Sequence, residues 1–162
     1  MWWLWRNRLK KKAAREIRTR ILALYDQLAG ETLRLTAGDR LGVNDDFPLR
    51  FDVMILLVAG VVHRLHHRGD DELAQALWEM TFEGLEESLR QRGVTDLSMA
   101  RRMKKLVRHA TGRRDAFLAA WDAKDETALR QAVARNVLNG ADPLDQRVSG
   151  LIAAVGEVVE TT

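Results

Sequence analysis

Residues 53–62 read Val-Met-Ile-Leu-Leu-Val-Ala-Gly-Val-Val, ten consecutive positions without a polar side chain. A membrane-spanning helix needs about 20 apolar residues. This run is closed off sooner, by Asp52 on one side and by His63 and Arg64 on the other. A helix that is apolar all round yet too short to span is one that other helices surround. Each Leu, Ile or Val buried in it contributes roughly 1.5–3 kcal/mol before entropy costs. The run therefore predicts a central buried helix, with Pro48 near its start.

Helical patterns extend from it in both directions. Upstream, Ile17, Ile21, Leu24, Tyr25 and Leu28 form a stripe between about residues 11 and 29, which Gly30 is expected to stop. Gly38, Gly42 and Asn44-Asp45-Asp46 then read as a connecting loop around a short element. Downstream, Leu73, Ala76, Leu77, Met80, Leu85 and Leu89 make a long amphipathic segment, with Trp78 and Phe82 beside the stripe and Gly84 loosening it. Gly93 suits a left-handed residue past a helix end, and Asp96 can cap the next helix. That helix carries Met99, Met103, Leu106, Val107 and Ala110 on one side and Arg101, Arg102, Lys104, Lys105 and Arg108 mostly on the other, ending at Gly112. Asp115 is read as starting a short helix with Phe117, Leu118 and Trp121 inward. Asp125 caps another over Leu129, Ala132, Val133 and Val137, stopped by Asn139-Gly140. Asp142-Pro143 reads as the start of the last helix, with Leu144, Val148, Leu151, Ile152, Val155 and Val159 inward, although these β-branched residues also suit a strand.

No segment alternates with period two and no repeat is evident. The expected fold is all-α: one compact helical domain of about six to eight helices around a buried central helix, with a basic N-terminal helical arm. Residues 1–29 form the Trp-rich arm and first helix, and 30–162 the helical domain.

The 162 residues include no cysteine, which excludes thiol catalysis, disulfides and cysteine-rich zinc sites. The net charge of +3 is unevenly spread: residues 1–20 carry eight Lys or Arg against one Glu, and the remainder holds 18 basic and 22 acidic side chains. The excess charge belongs to the arm. Trp2, Trp3 and Trp5 precede Arg6, Arg8, Lys10, Lys11 and Lys12. A secretory signal would place its charges first, so the order argues against export. Indole rings beside lysines suit an anionic membrane surface, and the same cations suit RNA phosphates on a ribosome. A solvated terminus is the plainer alternative.

Catalytic sets are missing: there is no glycine-rich phosphate loop and no nucleophile elbow. The protein is expected not to be an enzyme and to carry no cofactor. His63 and His67 are four apart and could share a metal, but no Glu stands between them and no third protein ligand is evident, so the expectation is a polar helix end without metal. The turn at 93–96 before a basic helix also invites a DNA-binding reading. The net acidic body argues against sequence-specific DNA.

The order of residues adds a further pointer. Arg50-Phe51-Asp52, the apolar helix ending in Arg64-Leu65, Gln75-Ala76-Leu77-Trp78 with Phe82, Leu89-Arg90, Gly93-Val94, Asp96-Leu97-Ser98 and Gly112-Arg113 together resemble the ubiquinol–cytochrome c chaperone family over roughly residues 43–138. That family shows an Arg-Phe-Asp start, a Gln-Ala-Leu-Phe stretch and a Leu-Arg-Glu-x-Gly-Val-Gly-Asp-Leu turn before a Lys/Arg helix. The chain departs at Gln91, Thr95, Ala100-Arg101, His109-Ala110-Thr111 and Gly84-Leu85, as a divergent bacterial member would. The resemblance implies a non-enzymatic assembly chaperone for cytochrome b of respiratory complex III. It would receive nascent or newly inserted cytochrome b near the ribosome or an anionic membrane surface, with a small partner subunit, in the cytoplasm and peripheral to the inner membrane. The residues expected to contact the partner are Arg90, Arg92, Arg101, Lys104, Lys105 and Arg108. The alternative is a peripheral membrane or ribosome-binding adaptor for another partner.

Overall fold

The computed structural model describes residues 2–38, 40–42 and 45–162, with side chains from Ala14 onward. Among these residues there are six helices and no strand: α1 (Trp2–Thr36), α2 (Phe47–His67), α3 (Asp71–Gln91), α4 (Asp96–Asp122), α5 (Glu126–Val137) and α6 (Gln146–Glu160). The side chains of Trp2, Trp3, Trp5, Arg6, Arg8, Lys10, Lys11 and Lys12 lie outside the described residues.

The apolar run is the pillar. From Val53 to Val62 every residue but the half-buried Met54 is buried, and α2 packs against all five other helices. The Asp46 carboxylate accepts from the Leu49 amide at 3.0 Å, and Pro48 occupies the first turn. At the other end Gly69 takes a left-handed φ of +78°, and Asp70 N–H returns to the Leu65 carbonyl at 2.9 Å, which closes the helix. Gly60 lets α6 approach: a β-carbon there would collide with Val155 Cγ1.

Two expected breaks are absent. α1 continues through Gly30 to Thr36, because Leu28, Thr32 and Thr36 are buried and both threonine hydroxyls donate to carbonyls four residues back, at 2.8 and 3.0 Å. α4 runs through Gly112 rather than ending there and restarting at Asp115, since Ala110, Phe117 and Ala120 hold both halves in the core. A helical glycine costs about 1 kcal/mol relative to Ala, less than burial on either side recovers. Gly84 does not loosen α3 but makes room for the Tyr25 hydroxyl.

Other boundaries shift by a few residues. Gly93 is left-handed (φ +82°) as expected, but Thr95 occupies the N-cap position and Asp96 is the first helical residue, where its charge suits the dipole. Asp142-Pro143 forms a turn rather than a helix start; Asp142 accepts from Leu144 N–H, and Asp145 caps α6 by accepting from Arg147 N–H, both at 2.8 Å. Leu144 is consequently 79% exposed instead of inward, and Val158 takes the buried place expected of Val159. The last segment is helical, with no strand. α5 follows expectation, capped by Asp125 and stopped at Asn139-Gly140, both with positive φ.

Candidate functional site

The first turn of α2 exposes one side of an aromatic pair. Phe47 and Phe51 lie one turn apart, with ring centroids 6.4 Å apart and nearly parallel planes. Phe51 is buried and Phe47 half-buried. Two hollows share this pair. One opens between α2 and α4, floored by Phe47, Pro48, Phe51, Leu89 and Leu106 and edged by Arg102, Lys105, His109 and Arg113. The other opens toward α1 and α3 and is lined by Tyr25, Leu33, Met54 and Leu85, with Arg50 and Arg92 at its margin. Leu33 is 52% exposed there. Apolar surface rimmed by cations is the anatomy of a protein-binding groove, with a desolvated centre and a polar edge.

Cations are fixed over the aromatic floor. The Arg92 guanidinium lies 5.2 Å from the Phe47 centroid and that of Arg113 5.9 Å from Phe51, within cation–π range. Arg113 also meets Asp52 at 3.1 Å and donates from Nε to the Asn136 carbonyl at 3.3 Å. Burial pushes the Asp52 carboxyl up to about 6, although Arg113 pulls it down; Asp46 adds to the rise. The desolvation cost thus exceeds the attraction of one partly exposed guanidinium. Beside them, burial and the charges of Arg113, Lys105 and Arg108 all lower the His109 pKa.

Of the expected partner-contact residues, Arg92 and Lys105 border the hollows. Arg101, Lys104 and Arg108 are exposed on the neighbouring face of α4. Arg90 is engaged within its own turn, by Glu86 at 2.6 Å and Asp96 at 4.0 Å. Phe47, Arg102 and Arg113 were not among the expected contacts. The signal for the α4 part was present: positions 102, 105, 106, 109 and 113 keep the spacing of one helix face.

The other end of α2 holds a different cluster. His63 Nε2 lies 2.9 Å from Asp122 Oδ1, and His67 Nε2 lies 3.0 Å from His63 Nε2 and 3.3 Å from the same Asp122 oxygen. The His contacts hold the Asp122 carboxyl below its ordinary range. The third group not evident from the sequence is thus supplied by the last residue of α4.

A sequence profile described as ubiquinol-cytochrome C chaperone matches residues 39–161. The chain belongs to the ubiquinol-cytochrome C chaperone family. Being a member of this family, it is a non-enzymatic assembly factor that acts on a client protein. The crystal structure of the Cbp3 homolog from Brucella abortus is similar to the chaperone, with a TM-score of 0.72 and 26% identity over 96% of this chain and 88% of that one. No curated protein matches the sequence. No helix among the described residues of the chaperone is long and apolar enough to cross a membrane.

Proposed function

We propose that this chaperone holds newly made cytochrome b, and that the groove around Phe47 and Phe51 receives an apolar segment of that client. The observation that carries the reading is the pairing of an apolar floor with a cationic rim in a member of a family described as ubiquinol-cytochrome C chaperones. An unassembled membrane protein presents apolar helices that a water-soluble partner must cover, and a groove with aromatic anchors suits such a helix. Arg92, Arg102, Lys105 and Arg113 would set orientation at the rim, while Arg101, Lys104 and Arg108 extend the basic face and Arg90 braces the turn beneath it.

The arm, residues 1–29, acts in this proposal as a separate tether to an anionic membrane surface or to the ribosome, placing the protein in the cytoplasm at the inner membrane. Its support is the local excess of eight basic residues over one acidic residue in positions 1–20.

The test is capture of tagged protein during active translation, followed by identification of newly made chains. Cytochrome b is expected with the wild type and depleted with Arg102→Glu/Lys105→Glu, while the melting temperature holds. A deletion strain should lose cytochrome b absorbance selectively. An unchanged spectrum would favour an adaptor for another partner.

A further inference from the structure

The triangle made by His63, His67 and Asp122 is not explained by hydrogen bonding. Its corners are two imidazole Nε2 atoms and one carboxylate oxygen, separated by 2.9, 3.0 and 3.3 Å. A carboxylate oxygen only accepts, and each Nε2 either carries one proton or offers one lone pair. If both nitrogens donate to Asp122, their two N–H groups face each other. If His67 donates to His63, the His63 lone pair faces the carboxylate. With Asp122 ionised, one edge is repulsive whichever imidazole nitrogens carry the protons.

A cation at the centre removes the conflict, because all three atoms then present lone pairs to it. The dimensions fit. Ligands at about 2.0–2.2 Å from zinc, subtending angles between roughly 90° and 110°, are about 2.8–3.6 Å apart. All three edges fall within that interval. The rings are held by local packing: His63 and His67 meet edge to face at 4.3 Å, and the Trp121 ring lies 5.5 Å from that of His63. The cluster also stands where α2 and α4 both end, and helix C-termini favour positive charge. With side-chain exposures of 23, 63 and 61% for His63, His67 and Asp122, solvent can complete the coordination shell.

We propose that His63, His67 and Asp122 bind one divalent transition-metal ion that clamps the C-terminal end of α4 to that of α2. Two imidazoles and a carboxylate, with no sulfur, suit zinc and its borderline neighbours rather than magnesium or a soft ion. The site is about 24–30 Å along α2 from Phe47, so its role is independent of the groove.

Untagged, chelator-treated protein titrated with zinc chloride in a calorimeter should take up one equivalent. At a hundredfold excess over Kd the melting temperature should rise by roughly 5 °C or more. His67→Ala and Asp122→Ala should each weaken binding at least about tenfold; both residues are exposed, so these variants fold. His66→Ala is the control, because that imidazole pairs with Asp71 at 2.6 Å and should leave binding unchanged. Absence of zinc uptake by the wild type overturns the proposal, as does undiminished binding by either His67→Ala or Asp122→Ala.

Discussion

The Arg113 guanidinium lies 3.1 Å from the Asp52 carboxylate, joining the first turns of α2 to the middle of α4 at the edge of the groove. Asp52 is 8% exposed, and burial pushes its carboxyl up to about 6. Unfolded aspartate titrates near 3.9. Between about pH 4 and pH 6 the folded chain therefore keeps a proton that the unfolded chain releases. The stability tied to this group is full below 4 and lost as pH rises through 6. Relative to Asp52→Asn, the wild type should lose about 1–3 kcal/mol across that window. Urea unfolding of both proteins at pH 4, 5, 6 and 7 measures the difference. Taking the difference cancels groups of opposite sign such as His109, whose pKa is lowered. A flat difference would refute the assignment.

Removing the cation tests the same pair from its other side. Arg113→Met leaves the ionised Asp52 without its partner at pH 7, and loses the contact with the Asn136 carbonyl. The expected cost is about 2 kcal/mol, below the value for a fully buried pair because Arg113 is 22% exposed. At pH 4 the protonated Asp52 no longer requires a cation, so the cost should shrink. An equal cost at both pH values would mean that Arg113 acts through packing alone.

Four helical glycines should divide into two classes. At Gly30 and Gly112 a β-carbon would meet nothing within 4 Å, so replacement by Ala should stabilise by roughly 0.5–1 kcal/mol each. At Gly60 the same methyl would strike the buried Val155, and at Gly84 the Tyr25 ring. Overpacking typically costs about 1–3 kcal/mol. Gly60→Ala should be the worse, because Val155 is enclosed in the core whereas the half-buried Tyr25 can swing outward. Thermal melts of the four variants give the ranking, which fails if Gly30→Ala or Gly112→Ala melts below the wild type.

Those glycines also mark what the sequence could reveal. The pillar was legible because ten apolar residues between polar ends admit few other readings. Gly93 and Asn139-Gly140 were legible because their turns require positive φ, a local demand. Gly30 and Gly112 were not, because the outcome there depends on burial of Leu28, Thr36, Ala110 and Phe117 against other helices. The groove depends on pairs far apart in the chain, Phe51 with Arg113 and Phe47 with Arg92. Helix periodicity places each residue on a face but does not say which faces meet. His63 and Asp122, 59 positions apart, are hidden for the same reason.

The aromatic pair separates stability from client binding. Phe51 is 8% exposed and belongs to the core; Phe51→Ala should cost about 3–5 kcal/mol and lower client recovery chiefly through unfolding. Phe47 sits at the first position of α2, half-buried and covered by Arg92. Its truncation should cost only about 1 kcal/mol, since much of the ring already faces water. If the groove holds an apolar client helix, that ring is a central anchor, and losing an anchor of about 2 kcal/mol weakens binding roughly thirtyfold. Phe47→Ala should therefore capture far less newly made cytochrome b while melting within a few degrees of the wild type. Wild-type recovery with Phe47→Ala would place the client on another surface, with the exposed Arg101, Lys104 and Arg108 face of α4 the next to examine by charge reversal.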